Sequence, residues 1–499
     1  MLKKVILAVL ILPLLPVAYF LATGAIGLSS ISMILNTMNG NGIETPSEQT
    51  LQQRLQVPAG YSINLYAANL TGVRYLKSTS AGGMLATLPR KGEIVLLEHN
   101  AAESHKAGSQ KVVLSGLTNP MTVDVFDGWL YVGESNAIGR IQFDETSGIT
   151  SGEYQQIVTG LTDDGGHRYK IINIGPDKKL YLSQGSTCNV CVEEDSRRST
   201  ISRFELDGSN EQLIASGLRN TMGFDWAPWS GELYGTDNGR DLLGDDFPPC
   251  ELNKIEVGGF YGWPYFNGDN QVDPDFSQAP AELQNPIAPV HHFKPHNAPL
   301  GMTFAHGTPL PGFEKSAFAA LHGSWNRSTP DGYKVVALSW GENGITSSDF
   351  LSGFLVDGDV IGRPVDVEQG TDGALYISDD YAGAIYRVSY GETTYVDTKP
   401  TEQAQESAGR DSIVQPDWLN DEQAVSRAQQ GETLFSSLGC AGCHTGSSTG
   451  KSQLNNISDR LSATDIIAVL ENPVPPMPKL PLSRDDKKAL ATYLSNNTH

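Results

Sequence analysis

Basic residues are scarce in this chain. Its 499 residues carry 35 lysines and arginines against 57 aspartates and glutamates, a formal charge of −22. That balance excludes a nucleic-acid surface, which needs clustered cations. It suits a secreted protein that must stay soluble, or one that meets a basic redox partner. Cysteine is scarce too, five in all, and after Thr445 cysteine is absent and only His499 supplies an imidazole. A zinc site at that end is therefore excluded, because nothing completes four ligands. Hydrophobic residues, at 39%, are enough for normal cores, while 52 glycines and 28 prolines imply many turns in a chain long enough for two or more domains.

What is present near the C-terminus is Cys440-Ala441-Gly442-Cys443-His444. A CxxCH reads as covalent attachment of haem c: two thiols three residues apart form thioethers to the vinyls, and the adjoining imidazole is carried under the iron. Met477, in PVPPMPKL, is the one methionine after Thr445 and is the expected sixth ligand, on a loop stiffened by prolines. Ala424, Val425, Ala428, Leu434 and Phe435 recur on one helical face before the motif. Ser483 with Asp486 makes an S-x-x-D helix start, followed by Leu490, Tyr493 and Leu494 as a buried side. These signals predict a small all-α cytochrome c domain over 421–499.

The N-terminus pairs Lys3-Lys4 with an apolar run from Val5 to Ala22, the layout of a secretory leader cleaved before Ala25. Apolar character resumes through Leu35, so an uncleaved membrane anchor is the alternative. We assign 1–24 to this leader or anchor and 25–56 to a polar linker. Both alternatives put the folded part outside the cytoplasm, periplasmic or exported, where bacteria attach haem c. Cys188 and Cys191 form a CxxC without a following histidine, which in an exported protein reads as a local disulfide, with a redox or metal pair as the alternative. Cys250 is left over, as a buried thiol or a competitor for that disulfide.

Between 57 and 390 the texture is short β-type runs broken by Gly, Asp and Asn. DGWLYVGES, DKKLYLSQG, SGELYGTDN and DGALYISDD repeat one pattern, their leucines at Leu130, Leu180, Leu233 and Leu375 being 50, 53 and 142 residues apart. The last spacing is close to three periods. Each repeat is followed by a second strand-like run, as in IGRIQFD, STISRFELDGS, ELNKIEV and AGAIYRVSY. Regular repetition of this size predicts a propeller, here of six blades. The chain is thus expected to be mainly β, a six-bladed β-propeller followed by the all-α cytochrome c domain, with a flexible linker over 391–420 that keeps the two at high effective concentration.

Function in such a fold sits on loops at one end of the channel. GGHRYK offers His167 and Arg168; GLRNTMGFDW offers Arg219 and Asn220; TDNGRDLLGDD offers Asn238, Gly239, Arg240 and four aspartates; LHGSWNRSTPDGYKVV offers His322, Trp325, Arg327 and Lys334; GRPVDV offers Arg363. Singly, such residues are more often solvated or capping. Together they supply one base and several cations at matching places in successive repeats, which suits an anionic, multi-carboxylate ligand.

As an ordered set, GGHRYK, IGPDKKLYLSQGSTCNVC, GLRNTMGFDW, FYGWPYFNG, HGSWNRS and ISDDYAGAIYRV resemble the soluble pyrroloquinoline-quinone (PQQ)-dependent sugar dehydrogenases, in particular the sorbosone or aldose dehydrogenase branch. The resemblance covers 57–390, and a fused cytochrome c recurs in some members. It implies that His167 is the catalytic base, that Arg219 and Asn220 contact the quinone, and that the turn of Gly239 and Arg240 holds calcium through backbone carbonyls. It also implies that Arg363 binds a PQQ carboxylate, with Lys334, Arg327 or His322 in the place of the family's lysine. The family's paired arginines appear here as Arg363-Pro364-Val365, one charge short.

The implied reaction removes the anomeric hydroxyl proton at His167 as a hydride passes to the quinone, with calcium and Arg219 countering the developing charge. Electrons would then leave singly through the haem to a downstream cytochrome or oxidase. Two other classes are weighed beside this one: a calcium-dependent lactonase-type hydrolase, disfavoured because hydrolysis yields no electrons for a haem, and a binding propeller with an electron-carrier tail. Which aldose or aldehyde is oxidised is not written in any spacing.

Overall fold

The computed structural model describes residues 42–307 and 310–391, and in the C-terminal part residues 416–420, 423–438, 440, 454, 457, 462–471 and 482–496. The chain divides into two compact units, Met1–Thr394 and Tyr395–His499.

The first unit is a propeller of six four-stranded antiparallel sheets, the third extended by the short strand Gly259–Phe260, which pairs in parallel with Gln212–Ser216. Blade 1 contains Leu76–Ser78, Met84–Leu88, Glu93–Leu97 and Gln110–Leu114; blade 2 contains Thr122–Phe126, Trp129–Gly133, Ile138–Asp144 and Ile149–Val158. Blade 3 runs from Lys170–Ile174 through Leu180–Gln184 and Thr200–Phe204 to Gln212–Ser216; blade 4 from Thr221–Trp226 through Leu233–Asp237 and Cys250–Ile255 to His291–Phe293. Blade 5 is built from Pro299–Phe304, Ser316–Leu321, Lys334–Gly341 and Gly344–Leu351. Blade 6 takes Pro364–Gln369, Leu375–Asp379 and Ala384–Tyr390 from the end of the propeller and its outermost strand, Tyr61–Ala67, from the beginning. That pairing, with Tyr61 opposite Tyr390, closes the ring.

The repeated Leu-Tyr pairs are the second strands of blades 2, 3, 4 and 6. From the leucine onward every residue of these strands is buried, polar ones included. Blades 1 and 5 carry Met84-Leu85 and Ala317-Phe318 in that place, so the repeat is silent there. The 142-residue spacing is corrected accordingly: it covers two blade steps rather than three, because an excursion with the short strands Gly259–Phe260, Phe266–Asn267 and Gln271–Val272 lengthens blade 4.

The innermost strand of each blade is a sheet edge whose outer N–H and C=O groups face the next blade. Side chains cover them. Thr122 Oγ1 donates to Lys170 O and accepts from Ile172 N, both at 3.0 Å, and Asp124 accepts from Ile174 N at 2.7 Å. Asp225 accepts from Phe304 N at 2.8 Å, and Gln369 accepts from His306 N at 2.6 Å. Asp366 and Glu368 accept from Leu76 N and Ser78 N at 2.9 and 3.0 Å across the ring closure. Thr87 and Ser183 complete the circle with bonds to Met121 O and Thr221 O. The expected linker also contributes to this unit: Glu48–Arg54 is a helix whose Leu51, followed by Leu55, is buried in the core between blades 5 and 6.

In the second unit Ala424–Ser437 packs on Arg484–Asn496, and Ala463–Glu471 joins them around Phe435, Ile466, Leu490 and Leu494. Gly431 marks the crossing, since a Cβ there would sit 2.1 Å from Ala489 O. The Ser483–Asp486 capping box forms as expected, Asp486 N donating to Ser483 Oγ and Ser483 N to the Asp486 carboxylate, both at 3.1 Å. Val425, expected on the buried face, is 73% exposed, because Gly431 and Phe435 rather than Val425 line the crossing. Among the described residues no helix is long and apolar enough to cross a membrane, and the proposed leader lies outside them.

Thr122→Val keeps the shape but orphans Ile172 N and Lys170 O. Each buried unpaired group costs about 1–3 kcal/mol. The urea midpoint of the propeller transition should fall accordingly, and an unchanged midpoint would show that the staple is not stabilising.

Candidate active site

Strand register gathers the site. In blades 3 to 6 the start of the inner strand pairs with the end of the second, as in Lys170 with Gln184, Thr221 with Asp237, Pro299 with Leu321 and Pro364 with Asp379. The residues just before each inner strand and just after each second strand therefore share one end of the channel. His167, Arg219, Asn220, Gly239, His322 and Arg363 all occupy such positions.

His167 is held by Ser186, its Nδ1 lying 3.1 Å from Ser186 O and 2.8 Å from Ser186 Oγ. Ser186 Oγ gives its own hydrogen to Cys188 O at 2.7 Å, and a carbonyl only accepts, so Nδ1 carries the ring hydrogen. Nε2 is then the lone-pair nitrogen, the form a general base requires. Burial first, and then the charge of Arg219, push the His167 pKa down to about 3, with Arg198 adding to the effect. The imidazole is neutral at physiological pH.

Arg219 is 4% exposed and fully engaged. Nε donates to Asn189 O at 2.9 Å, one terminal nitrogen to Asn238 O and Gly239 O at 3.1 and 2.9 Å, and the other to Asn189 Oδ1 at 2.9 Å and Asp241 Oδ2 at 3.2 Å. Asn220 stands beside His167 across Gly185, whose added Cβ would meet Asn220 Oδ1 at 2.4 Å and His167 Cβ at 2.7 Å. Only glycine allows that approach.

On the opposite wall Arg363 donates to His322 Nδ1 at 3.0 Å, and His322 Nε2 is 2.9 Å from Asp380 Oδ1. Arg363 can only donate, so His322 Nδ1 accepts and Nε2 carries the hydrogen. Burial and Arg363 push the His322 pKa down to about 4. Burial would raise the Asp380 carboxyl, but His322 and Arg74 outweigh it and hold the group well below the usual range. Arg74 closes the chain with a 2.6 Å ion pair to Asp380.

The remaining expected residues lie elsewhere. Lys334 is corrected: its amine pairs with Asp349, 2.6 Å away on the outermost strand of blade 5, and so does not join the cations of the mouth. Arg327 donates to the carbonyls of Asp245, Pro295 and Thr329 and serves as a loop brace. The Arg240 guanidinium is locked onto Asp273 and Asp275 at 2.8 Å, leaving only its backbone for the role assigned to it, and the Gly239 carbonyl is already used by Arg219. Cys188 and Cys191 are disulfide-bonded, and Cys250 is a buried thiol. Cys440 is half-buried, its N–H bonded to Phe435 O at 3.1 Å. Cys443, His444 and Met477 lie outside the described residues.

Three residues escaped the sequence reading. Arg198, 2% exposed, ties Thr162 O, His167 O and Ser186 O together. Gln184 is 1% exposed and neither end of its amide has a partner. Arg74 precedes the inner strand of blade 1 as Arg219 and Arg363 precede theirs, a signal visible only once blade 1 is delimited.

The site is a propeller mouth that holds a neutral histidine among fixed arginines, and comparison with known proteins gives it a class. Residues 129–387 match the glucose/sorbosone dehydrogenase family model, and 426–494 match that of cytochrome c oxidase, cbb3-type, subunit III. The chain belongs to the glucose/sorbosone dehydrogenase family and carries a C-terminal cytochrome c domain. It is 30% identical over 364 residues to an uncharacterized protein of Borreliella burgdorferi, covering 69% of this chain and 93% of that one. It is also 30% identical over 346 residues to the pyrroloquinoline quinone-dependent pyranose dehydrogenase of Coprinopsis cinerea, 59% of this chain but 46% of the relative, so it spans about half that protein's length. The PQQ domain of the C. cinerea pyranose dehydrogenase shares the fold, with a TM-score of 0.57 at 21% identity, covering 67% of this chain and 97% of that one.

His322 resists protonation in the folded state down to about pH 4, whereas the unfolded chain takes up the proton near 6.5. The folded protein thus binds fewer protons in that window, so its stability is highest above it and is lost as pH falls. The melting temperature should drop between pH 6.5 and 4, and less steeply in His322→Gln; equal slopes would remove His322 from the account.

Proposed function

We propose that this protein oxidises an aldose or a related aldehyde with PQQ bound in the propeller mouth, passing electrons singly to the haem c of its C-terminal domain. The observation that carries the reading is a neutral His167, Nε2 available, separated only by Gly185 from Asn220 and electrostatically coupled to Arg219. Family membership and the pyranose dehydrogenase relative supply the cofactor class.

The residues fit such a group. Gln184 has a buried amide without partners, and a buried unsatisfied amide is costly unless a ligand or water completes it. Arg219, Arg363 and Arg74 are cations fixed by their protein partners at this end of the channel, and their charge suits a polycarboxylate. When bound, PQQ supplies a two-electron acceptor that can be reoxidised in single steps. His167 Nε2 takes the proton of the substrate hydroxyl, and the Nδ1–H bond to Ser186 holds the ring in the tautomer that can do so. Arg219 and Asn220 bind and orient the acceptor, and burial together with the Arg219 charge keeps His167 unprotonated. Calcium belongs to the proposal through the carbonyls of Gly239 and Arg240. Among the described residues the mouth has no cage of three carboxylates or imidazoles that could replace them.

The haem is assigned to Cys440 and Cys443, with His444 and Met477 on the iron. The tether keeps donor and acceptor in one molecule, and a downstream cytochrome or oxidase drains the haem. Export to the periplasm, with or without an N-terminal anchor, is part of the same proposal, since haem c is attached there.

The test is anaerobic visible spectroscopy of the haem-loaded full chain with PQQ, calcium and a panel of aldoses and aldehydes. Reduced-haem bands should appear only when all are present, and His167→Gln should slow their appearance by roughly 10²- to 10⁴-fold. Product release without haem reduction would indicate a hydrolase. Because His167 titrates near 3, the rate measured with an artificial acceptor should show no acid limb near pH 6.5, and a limb there would mean that His167 is not the base.

A further inference from the structure

The Cys188–Cys191 disulfide closes a short loop, and that loop lies between the two halves of the site. Ser186, two residues before the ring, donates its N–H to Arg219 O at 2.8 Å and holds His167 Nδ1. Thr187 O accepts from Gly166 N at 2.8 Å, which ties this segment to the loop that carries His167, and the Glu193 carboxylate returns to Thr187 N and Oγ1 at 2.7 and 2.8 Å.

Between the cysteines stands Asn189, every side-chain polar atom of which is used. Oδ1 accepts from Arg219 at 2.9 Å and from Asp241 N at 2.8 Å, while Nδ2 donates to Asp241 O at 3.1 Å. Its backbone carbonyl accepts from Arg219 Nε at 2.9 Å and from the Trp263 indole at 3.4 Å. One residue thus grips Arg219 by its Nε and by a terminal nitrogen and binds the Asp241 backbone at the same time. A guanidinium held at two nitrogens of one edge by a single residue keeps one orientation, whereas its other partners, Asn238 O, Gly239 O and Asp241 Oδ2, all lie toward the blade 4 turn.

We propose that Asn189, presented by the Cys188–Cys191 ring, is the positioning residue for Arg219, and that the disulfide serves as the fastener of this clamp rather than as a redox or metal pair. The proposal rests on the PQQ reading above, because Arg219 is the cation it orients. Without the Asn189 side chain the guanidinium turns toward Asp241 and away from His167, so the mouth loses a fixed cation and the base loses the charge that, after burial, does most to keep it unprotonated.

The experiment uses the haem-loaded full chain with calcium. PQQ affinity is read from quenching of tryptophan fluorescence, folding from the melting curve, and the base from the rate–pH profile with an artificial acceptor. Asn189→Ala keeps the backbone carbonyl but loses the Oδ1 bond, and should bind PQQ roughly 10- to 100-fold more weakly, the effect of losing one hydrogen bond to a charged group. It should melt close to wild type and show its acid limb displaced toward neutral pH, a displacement that a merely structural loss would not produce. Wild-type affinity with an unmoved acid limb in Asn189→Ala would overturn the clamp. Should Asn189→Ala fail to fold, the Cys188→Ser, Cys191→Ser double variant decides by the same criteria: weaker PQQ binding supports the fastener and wild-type binding overturns it. A wild-type chain that binds no PQQ would overturn the functional reading itself, and this proposal with it, before any variant is compared.

Discussion

A ring of sheets has an inner edge for every blade, and those edges are the constraint on which this protein depends. An unpaired strand edge inside a protein leaves N–H and C=O groups without water or partner. The propeller resolves this with polar side chains on the inner strands themselves: Thr122, Asp124, Asp225, Asp366 and Glu368 cap backbone of the next blade, and Gln369 caps His306 N of the preceding one. The staples fix the angular order of the blades, and Tyr61–Ala67 fixes the closure. The residues at the mouth inherit their spacing from this ring.

The mouth is an exercise in keeping groups neutral or charged by their surroundings. Two histidines, His167 and His322, sit beside arginines and are held unprotonated, while Asp380 between His322 and Arg74 is held ionised. Burial drives the first effect and ion pairing the second. The result is one neutral base on one wall and fixed positive charge on both, an arrangement matched to an anionic acceptor and a neutral sugar. Arg74 from blade 1 stands with Arg363 from blade 6 across Asp380, so the charge that Arg363-Pro364-Val365 lacks in sequence has a neighbour in space.

The second unit follows separate rules. Its helices cross where Gly431 permits contact with Ala489, and the capping box at Ser483 starts the closing helix. These are local features of spacing and small-residue placement, which is why the helices were legible around a CxxCH that itself identifies the chemistry. The exposed Val425 shows the limit of periodicity, which counts apolar residues without knowing which turn of the helix meets its partner.

By itself the sequence determined the elements whose signal is local: the CxxCH, the capping box, the repeated Leu-Tyr strands, and the order of the motifs that places His167, Arg219 and Arg363 in a dehydrogenase family. It could not determine what depends on strand register and on distant segments meeting. Blades 1 and 5 lack the repeat because other apolar pairs fill the same buried place, and the ring closure joins residues more than three hundred positions apart. Lys334 and Arg240 read as free cations until Asp349, Asp273 and Asp275 were brought to them. Arg74, Arg198, Gln184 and the grip of Asn189 on Arg219 exist only in the tertiary structure, because a charge acquires its role from the partners that folding supplies and no spacing rule encodes them.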